Sequence, residues 1–153
     1  MKKYELTAEF IEKWGKKLFR IKALISFGSV EAGELGGYVE KEDNLAQDGD
    51  AWVYGNAWVC GNARVCGNAD YLLIGRIGSR FSFTTFFKNK DKGITVSCGC
   101  FLGTIAEFRA KVTDTHGNNK HAKMYNLAAD MAELQILGEE HFDKLNTNKS
   151  EPF

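Results

Sequence analysis

The residues best suited to chemistry lie near the middle of the chain, between residues 74 and 85. Two arginines are separated by a short stretch that carries a hydroxyl, and two threonines follow. The side chains in question are Arg76, Ser79, Arg80, Thr84 and Thr85. Arginine binds phosphate oxygens through paired hydrogen bonds, and hydroxyl groups add further donors. This segment therefore predicts a site for a phosphate-bearing ligand.

A second segment, residues 99–104, has the composition of an anion-binding turn between a strand and a helix. Gly99 and Gly103 permit a tight turn, and Thr104 begins a capping-box pattern for the helix that follows. Backbone N–H groups at a helix start attract anions, and the ring of Phe101 offers a face for a base. The alternative is that the glycines only allow the turn and Thr104 only caps. Together the two segments predict a nucleotide-like ligand.

Candidates for catalysis or for a metal site are sparse. Cys98 and Cys100 with His116 could form a nucleophile and its base, and Asp114 with His116 could act as acid and base. The alternative is that the thiols are small core residues and that His116 favours a helix end. The cysteine spacing does not fit zinc ribbons or fingers, and neither glycine-rich segment has Rossmann or P-loop spacing. We predict no catalytic residues, no metal and no cofactor.

Charge and composition restrict the partners. The 153 residues contain 20 Lys and Arg against 20 Asp and Glu, so the net charge is zero. This balance argues against non-specific binding to nucleic acid or to an anionic membrane. The polar N-terminal residues and the absence of a long apolar run predict a cytoplasmic protein with reduced thiols. An anionic ligand must then be held by a few placed arginines and N–H groups.

A six-residue repeat dominates the segment that would position these residues. Residues 49–72 read GDAWVY, GNAWVC, GNARVC and GNADYL. Ala in the third place and Val or Tyr in the fifth alternate inward, and Gly-Asn suits corners. The pattern resembles the hexapeptide repeat of left-handed parallel β-helices, in which three hexads form one coil. The resemblance implies a short β-helix over residues 31–78, with residues 18 apart stacked, such as Asn44 on Asn62.

The outward positions of this repeat are unusually apolar. They carry Trp52, Tyr54, Trp58, Cys60 and Cys66. These side chains either pack against the flanks of their own chain or form a subunit interface. Many left-handed β-helices are trimers, so we predict a homo-oligomer and favour a trimer.

The flanks of the repeat predict smaller elements around a mainly β fold. Residues 1–30 form an N-terminal hairpin cap, residues 79–143 form a C-terminal α+β module, and residues 144–153 form a flexible tail. The module contains a β-hairpin and two helices, the second over residues 120–137. Its predicted core stripe consists of Met124, Leu127, Met131 and Leu134.

Two longer stretches, residues 35–45 and 77–117, resemble small proteins of phages and prophages that join a short left-handed β-helix to an αβ module. Some unrelated small phage proteins are sponges that sequester nucleotide signals of bacterial immunity, either ADP-ribose derivatives or cyclic dinucleotides. By analogy of architecture, we predict a viral anti-defence protein of the bacterial cytoplasm that binds such a signal. Two alternatives stay open: a structural trimer without a ligand, and a hexapeptide-repeat transferase or nucleotide-cleaving enzyme.

Overall fold

A computed structural model describes the backbone of residues 2–150 and the side chains of residues 2–145. The strands are β1 Tyr4–Lys13, β2 Lys16–Ala23, β3 Leu35–Val39, β4 Trp58–Val59, β5 Tyr71–Ile77, β6 Ser82–Lys88, β7 Ile94–Cys98 and β8 Phe101–Thr104. The α-helices are α1 Ile105–His116, α2 Lys120–Ala132 and α3 Glu139–Ser150, and a π-helical turn, Glu133–Leu137, joins the last two.

The predicted left-handed parallel β-helix over residues 31–78 is wrong. In the described part of the chain, the strands form two four-stranded sheets with the orders β1-β2-β3-β4 and β5-β6-β7-β8. Five strand pairs are antiparallel, and only β3 and β4 run parallel. The fold is therefore an αβ arrangement of two largely antiparallel sheets with three α-helices.

The repeat points its small residues inward without building a solenoid. Ala and Val in the third and fifth places of the first three hexads are all buried: Ala51, Val53, Ala57, Val59, Ala63 and Val65. Their partners, however, lie twenty residues away, with Val39 opposite Val59 and Leu45 opposite Val65. A stack of three-hexad coils requires a spacing of 18, so these pairs do not follow the register of such a coil. The predicted neighbourhood of Asn44 and Asn62 is nevertheless present, because the Asn44 amide donates to the carbonyls of Gly61 and Ala63.

Burial of Trp52 explains why the coil does not form. Trp52 is fully buried between Ala51 and Val53, so three consecutive residues face the core and the two-residue alternation fails. Its ring contacts those of Tyr4 and Phe27 edge-on, at centroid distances of 6.3 and 5.4 Å. A prism lined by alanine and valine has no room for an indole, so the chain wraps around the indole instead.

The predicted N-terminal hairpin is present as β1 and β2. Trp14 and Gly15 form its two-residue turn with positive φ values of 53° and 74°, which is the conformation that tight hairpins favour. The hairpin does not cap a coil, because β2 pairs with β3 and buries Leu18 and Ile21 in the hydrophobic core that also contains the buried residues of the repeat. It supplies half of the first sheet.

The core stripe predicted for α2 is wrong. Met124, Leu127, Met131 and Leu134 are exposed, and the buried face of α2 carries Tyr125 and four alanines, at positions 122, 128, 129 and 132. Alanine lets a helix approach its neighbours closely, so α2 packs its small face against α1 and β5. The larger side chains are left on the outside.

The C-terminal part of the chain is helical over most of the predicted tail. Residues 144–150 of the predicted flexible tail continue α3, and residues 151–153 lie outside the described residues. The division at residues 30 and 78 stays a prediction, although β5 pairs with β6 across the second boundary. No helix in the described part of the chain is long and apolar enough to cross a bilayer.

Asn44 gives a test of how the repeat is held. Its fully buried amide accepts from the N–H groups of Glu40 and Lys41, at 3.1 and 3.0 Å, and donates to the carbonyls of Gly61 and Ala63, at 3.1 and 3.3 Å. We expect Asn44→Ala to lower the free energy of unfolding by about 2–4 kcal/mol, because it leaves buried backbone groups without partners.

Urea unfolding followed by tryptophan fluorescence measures this loss. Asn56→Ala is the matched control, because Asn56 occupies the second place of a hexad and is exposed. We expect the control to change the free energy of unfolding by less than about 0.5 kcal/mol. Similar losses in the two variants would contradict the assigned role of Asn44.

Candidate functional site

The topology of the second sheet brings two turns together at one edge. Because its strands follow one another in antiparallel order, the β5–β6 turn and the β7–β8 turn lie at the same end. Ile77 pairs with Ser82 to close the first turn, and Cys98 pairs with Phe101 to close the second. Helix α1 follows β8 directly and packs beside this end, so its last turns border both loops.

These elements enclose an open groove of about 390 Å³. It is lined by Ser79, Arg80 and Ser82 of the first turn, residues 98–101 of the second, Lys111, Thr115 and His116 of α1, and Tyr125 of α2. An apolar recess of about 110 Å³ shares six of these residues and reaches Phe108 and Val112. Sites for small molecules span about 300–1,000 Å³, so the groove is large enough for one.

The charges that line the groove are all of one sign. Arg80 and Lys111 contribute two cations from different elements, and none of the lining residues is Asp or Glu. The rings of Phe101, His116 and Tyr125 line the same space. In a chain of zero net charge, this local excess favours an anion that also carries a ring.

Tyr125 forms a rigid part of the wall. Its ring stacks on His116 at 5.9 Å, with an interplanar angle of 25°, and meets Phe108 edge-on at 5.6 Å. A Cβ on Gly78, where φ is +85°, would overlap the Tyr125 hydroxyl. Burial is the main cause that raises the pKa of Tyr125 to about 12, and neighbouring Cys98 adds to the effect. Tyr125 is therefore a neutral phenol near pH 7.

The thiol and imidazole groups considered as catalysts also lie here. Cys98, Cys100 and His116 line the groove, whereas Asp114 is exposed and does not. Cys98 Sγ accepts a hydrogen bond from the hydroxyl of Thr84 at 3.1 Å. All four cysteines are unpaired by disulfides, and no cluster of three potential metal ligands occurs within the described residues.

Four of the nine predicted ligand-binding residues meet in the groove: Ser79, Arg80, Gly99 and Phe101. The segment 99–104, however, is not a strand-to-helix turn. Gly99, with φ of +55°, and Cys100 form a two-residue hairpin turn, and the remaining residues form β8. Gly99 thus shapes the groove through its hairpin, and Phe101 enters the groove from a strand.

Arg76, Thr84 and Thr85 lie elsewhere. Arg76 is exposed on β5 and does not line the groove. Thr84 is buried behind Cys98, and the hydroxyl of Thr85 accepts from the N–H of Trp58 at 3.1 Å. The two threonines are buried in the sheet, where Thr85 ties it to the first sheet.

Gly103 and Thr104 also serve the structure. Thr104 accepts from the N–H of Glu107 at 3.1 Å, and its own N–H donates to the Glu107 carboxylate at 2.8 Å. That backbone hydrogen bond is the main cause that lowers the pKa of Glu107. A Cβ on Gly103 would lie 2.9 Å from the Phe101 ring. The helix start is therefore occupied by the chain's own carboxylate and does not offer a free anion site.

Sequence reasoning missed seven groove residues as ligand contacts, although it considered the two cysteines and the histidine for catalysis: Ser82, Cys98, Cys100, Lys111, Thr115, His116 and Tyr125. The spacing of Phe108 and Val112 predicted the apolar face of α1, and Lys111 and Thr115 lie beside that face. Their position relative to the hairpin could not be inferred, because it depends on how α1 folds back against the sheet.

A second basic groove, of about 360 Å³, lies at the other end of β6 and is a weaker candidate. Its cations are Arg64, Lys88, Lys90 and Lys92. Asp70 already occupies it: its carboxylate accepts from the N–H groups of Cys66 and Gly67 at 2.9 and 3.0 Å and lies 4.0 Å from Lys88 Nζ. Among the described residues, no aromatic ring lines this groove.

Comparison with known proteins places no family name on this site. The chain matches no protein-family model, and no curated protein matches it significantly. The geometry of the groove is therefore the basis for assigning a function to this protein.

Tyr125 yields a test based on pH. A phenol whose pKa is raised on folding stabilises the folded state below its unfolded pKa, about 10, and this contribution is lost as pH rises through about 12. We expect Tyr125→Phe to reduce the loss of unfolding free energy over this interval by about 1–2 kcal/mol.

Urea unfolding at several pH values between 8 and 12 measures this dependence. The wild type, measured in the same buffers, is the reference for this comparison. The same slope in the Tyr125→Phe variant and the wild type would overturn the prediction.

Proposed function

We propose that the groove binds a nucleotide-like anion and holds it without chemical change, so that the protein sequesters a nucleotide-derived signal. The observation that carries this proposal is the pairing of Arg80 and Lys111 with the ring of Phe101, in a groove that no carboxylate of the described residues lines. In this proposal the two cations bind phosphate oxygens, and Ser79 and Thr115 add hydroxyl donors. Phe101 supplies the face on which a base stacks.

The biological form of the proposal is a phage sponge in the cytoplasm of a bacterial host, with an ADP-ribose-type or cyclic nucleotide signal as its ligand. The β-helix on which the architectural analogy drew is absent, so support now comes from the groove. The trimer stays a prediction. Of the five side chains that suggested it, Trp52 and Cys60 are buried within their own chain and cannot contribute to an interface.

Isothermal titration tests ligand binding directly. We titrate the protein with ADP-ribose, ADP and a cyclic dinucleotide, and expect at least one to bind. Arg80→Ala and Lys111→Ala should each raise Kd about tenfold or more, because each removes a charge-assisted contact to phosphate.

Two matched variants serve as controls. Arg76→Ala and Lys123→Ala remove exposed cations outside the groove, and we expect Kd to change less than about twofold. The absence of heat with all three ligands would overturn the proposal. Co-purification of a host or virion protein under those conditions would favour the structural alternative.

The fate of the ligand distinguishes a sponge from an enzyme. After long incubation, we denature the complex and separate the ligand by chromatography, and expect to recover it intact. Because Cys98 and His116 line the groove, a cleaved product is the specific alternative. Loss of that product in Cys98→Ser or His116→Ala would assign a nucleotide-cleaving activity and contradict sequestration.

A further inference from the structure

Helix α2 and the π-helical turn that follows it present an apolar stripe to solvent that the described part of the chain leaves uncovered. Met124, Leu127, Met131 and Leu134 are 39%, 65%, 50% and 44% exposed. Single exposed apolar residues are common on protein surfaces, but three along α2 and a fourth, Leu134, on the turn after it form a row of the kind that marks an interface. None of the four lines the groove.

The spacing of the stripe is symmetric. Its members follow at intervals of three, four and three residues, so the pattern is centred on residue 129. Turning the helix end for end leaves this pattern unchanged. In an antiparallel pair, Met124 of one copy therefore lies opposite Leu134 of the second copy, and Leu127 lies opposite Met131. A two-fold axis requires this kind of self-complementary surface.

The charges at the two ends of the stripe have opposite signs. Lys120 and Lys123 are exposed at its beginning, and Glu139 and Glu140 are exposed just beyond its end. An antiparallel pair places the lysines of one copy against the glutamates of the other at both ends, whereas a parallel pair would oppose like charges. Glu140 also lies 3.6 Å from Lys144 of its own chain, which leaves Glu139 as the freer acid.

We infer that this stripe is the interface of a two-fold homodimer in which the α2 helices pack antiparallel. A stable complex buries about 800 Å² per partner, and a single short helix with four apolar residues offers less. The dimer is therefore weak, with Kd in the micromolar range. Only Tyr125 of α2 lines the groove, and the stripe does not include it. Dimerisation and ligand binding are therefore independent, and a failure of one does not exclude the other.

Sedimentation velocity over a range of concentrations tests the dimer. We expect Leu127→Glu to raise the dimer Kd at least tenfold, because it places a carboxylate at the centre of the apolar contact. Leu35→Glu is the matched control, since Leu35 is 48% exposed on β3, and it should leave Kd unchanged. Circular dichroism confirms that both variants are folded.

A charge exchange tests the antiparallel arrangement independently. One variant combines Lys120→Glu with Lys123→Glu, and the other combines Glu139→Lys with Glu140→Lys. Each alone should dimerise more weakly than the wild type, and an equimolar mixture should regain association because opposite charges then meet at both ends. A monomeric wild type at several hundred micromolar, an oligomer unaffected by Leu127→Glu, or a mixture without recovery would overturn the inference.

Discussion

Hydrogen bonds to the backbone of Trp58 join the two sheets, and the rest of the structure depends on this connection. Trp58 begins β4, the edge strand of the first sheet. Its N–H donates to the hydroxyl of Thr85 at 3.1 Å, and its carbonyl accepts from the hydroxyl of Ser97 at 2.8 Å. Both hydroxyl side chains are buried. An unpaired edge would otherwise leave these groups without partners between the two sheets.

The same connection fixes which side chains reach the groove. Because successive residues of a strand face opposite sides, Thr85 on the inter-sheet side requires Thr84 and Phe86 to face the helices. Thr84 then contacts Cys98 at the groove, and Phe86 meets Phe108 of α1 edge-on at 5.6 Å. A shift of β6 by one residue would exchange these roles and destroy both the junction and the groove.

Features decided within a few residues could be predicted from the sequence. The N-terminal hairpin and the cap of α1 at Thr104 depend mainly on local backbone chemistry, and both are present in the structure. The β-helix was wrong because an inward-facing repeat of Ala and Val is equally compatible with an irregular segment. Burial of Trp52 separates the two arrangements, and this burial depends on Tyr4 and Phe27, distant in the sequence.

In the candidate site, too, residues recognisable from the local sequence could be predicted, whereas residues placed by tertiary packing could not. Arg80 and Phe101 could be found because charge and aromaticity are visible in the sequence, and the turns that carry them are adjacent in an antiparallel sheet. Lys111 could not be found, and His116 could be named only as a possible catalyst, because the place of both residues in the groove depends on how α1 folds back. For α2, the prediction assumed that the larger apolar side chains face the core. In the structure the small residues pack against the core, and the large ones remain outside.

The zero net charge of the chain and the small number of cations in the candidate groove have a kinetic consequence for the proposed ligand. A protein with zero net charge has no long-range field to draw an anion in, and the two groove cations act within about one Debye length, roughly 8 Å at physiological salt. Capture then proceeds at a rate set by diffusion and orientation, with little dependence on ionic strength. In the proposed sequestration, tight retention must come from slow release, and the Tyr125 ring, which packs against Phe108 and His116, forms part of the wall beside the ligand.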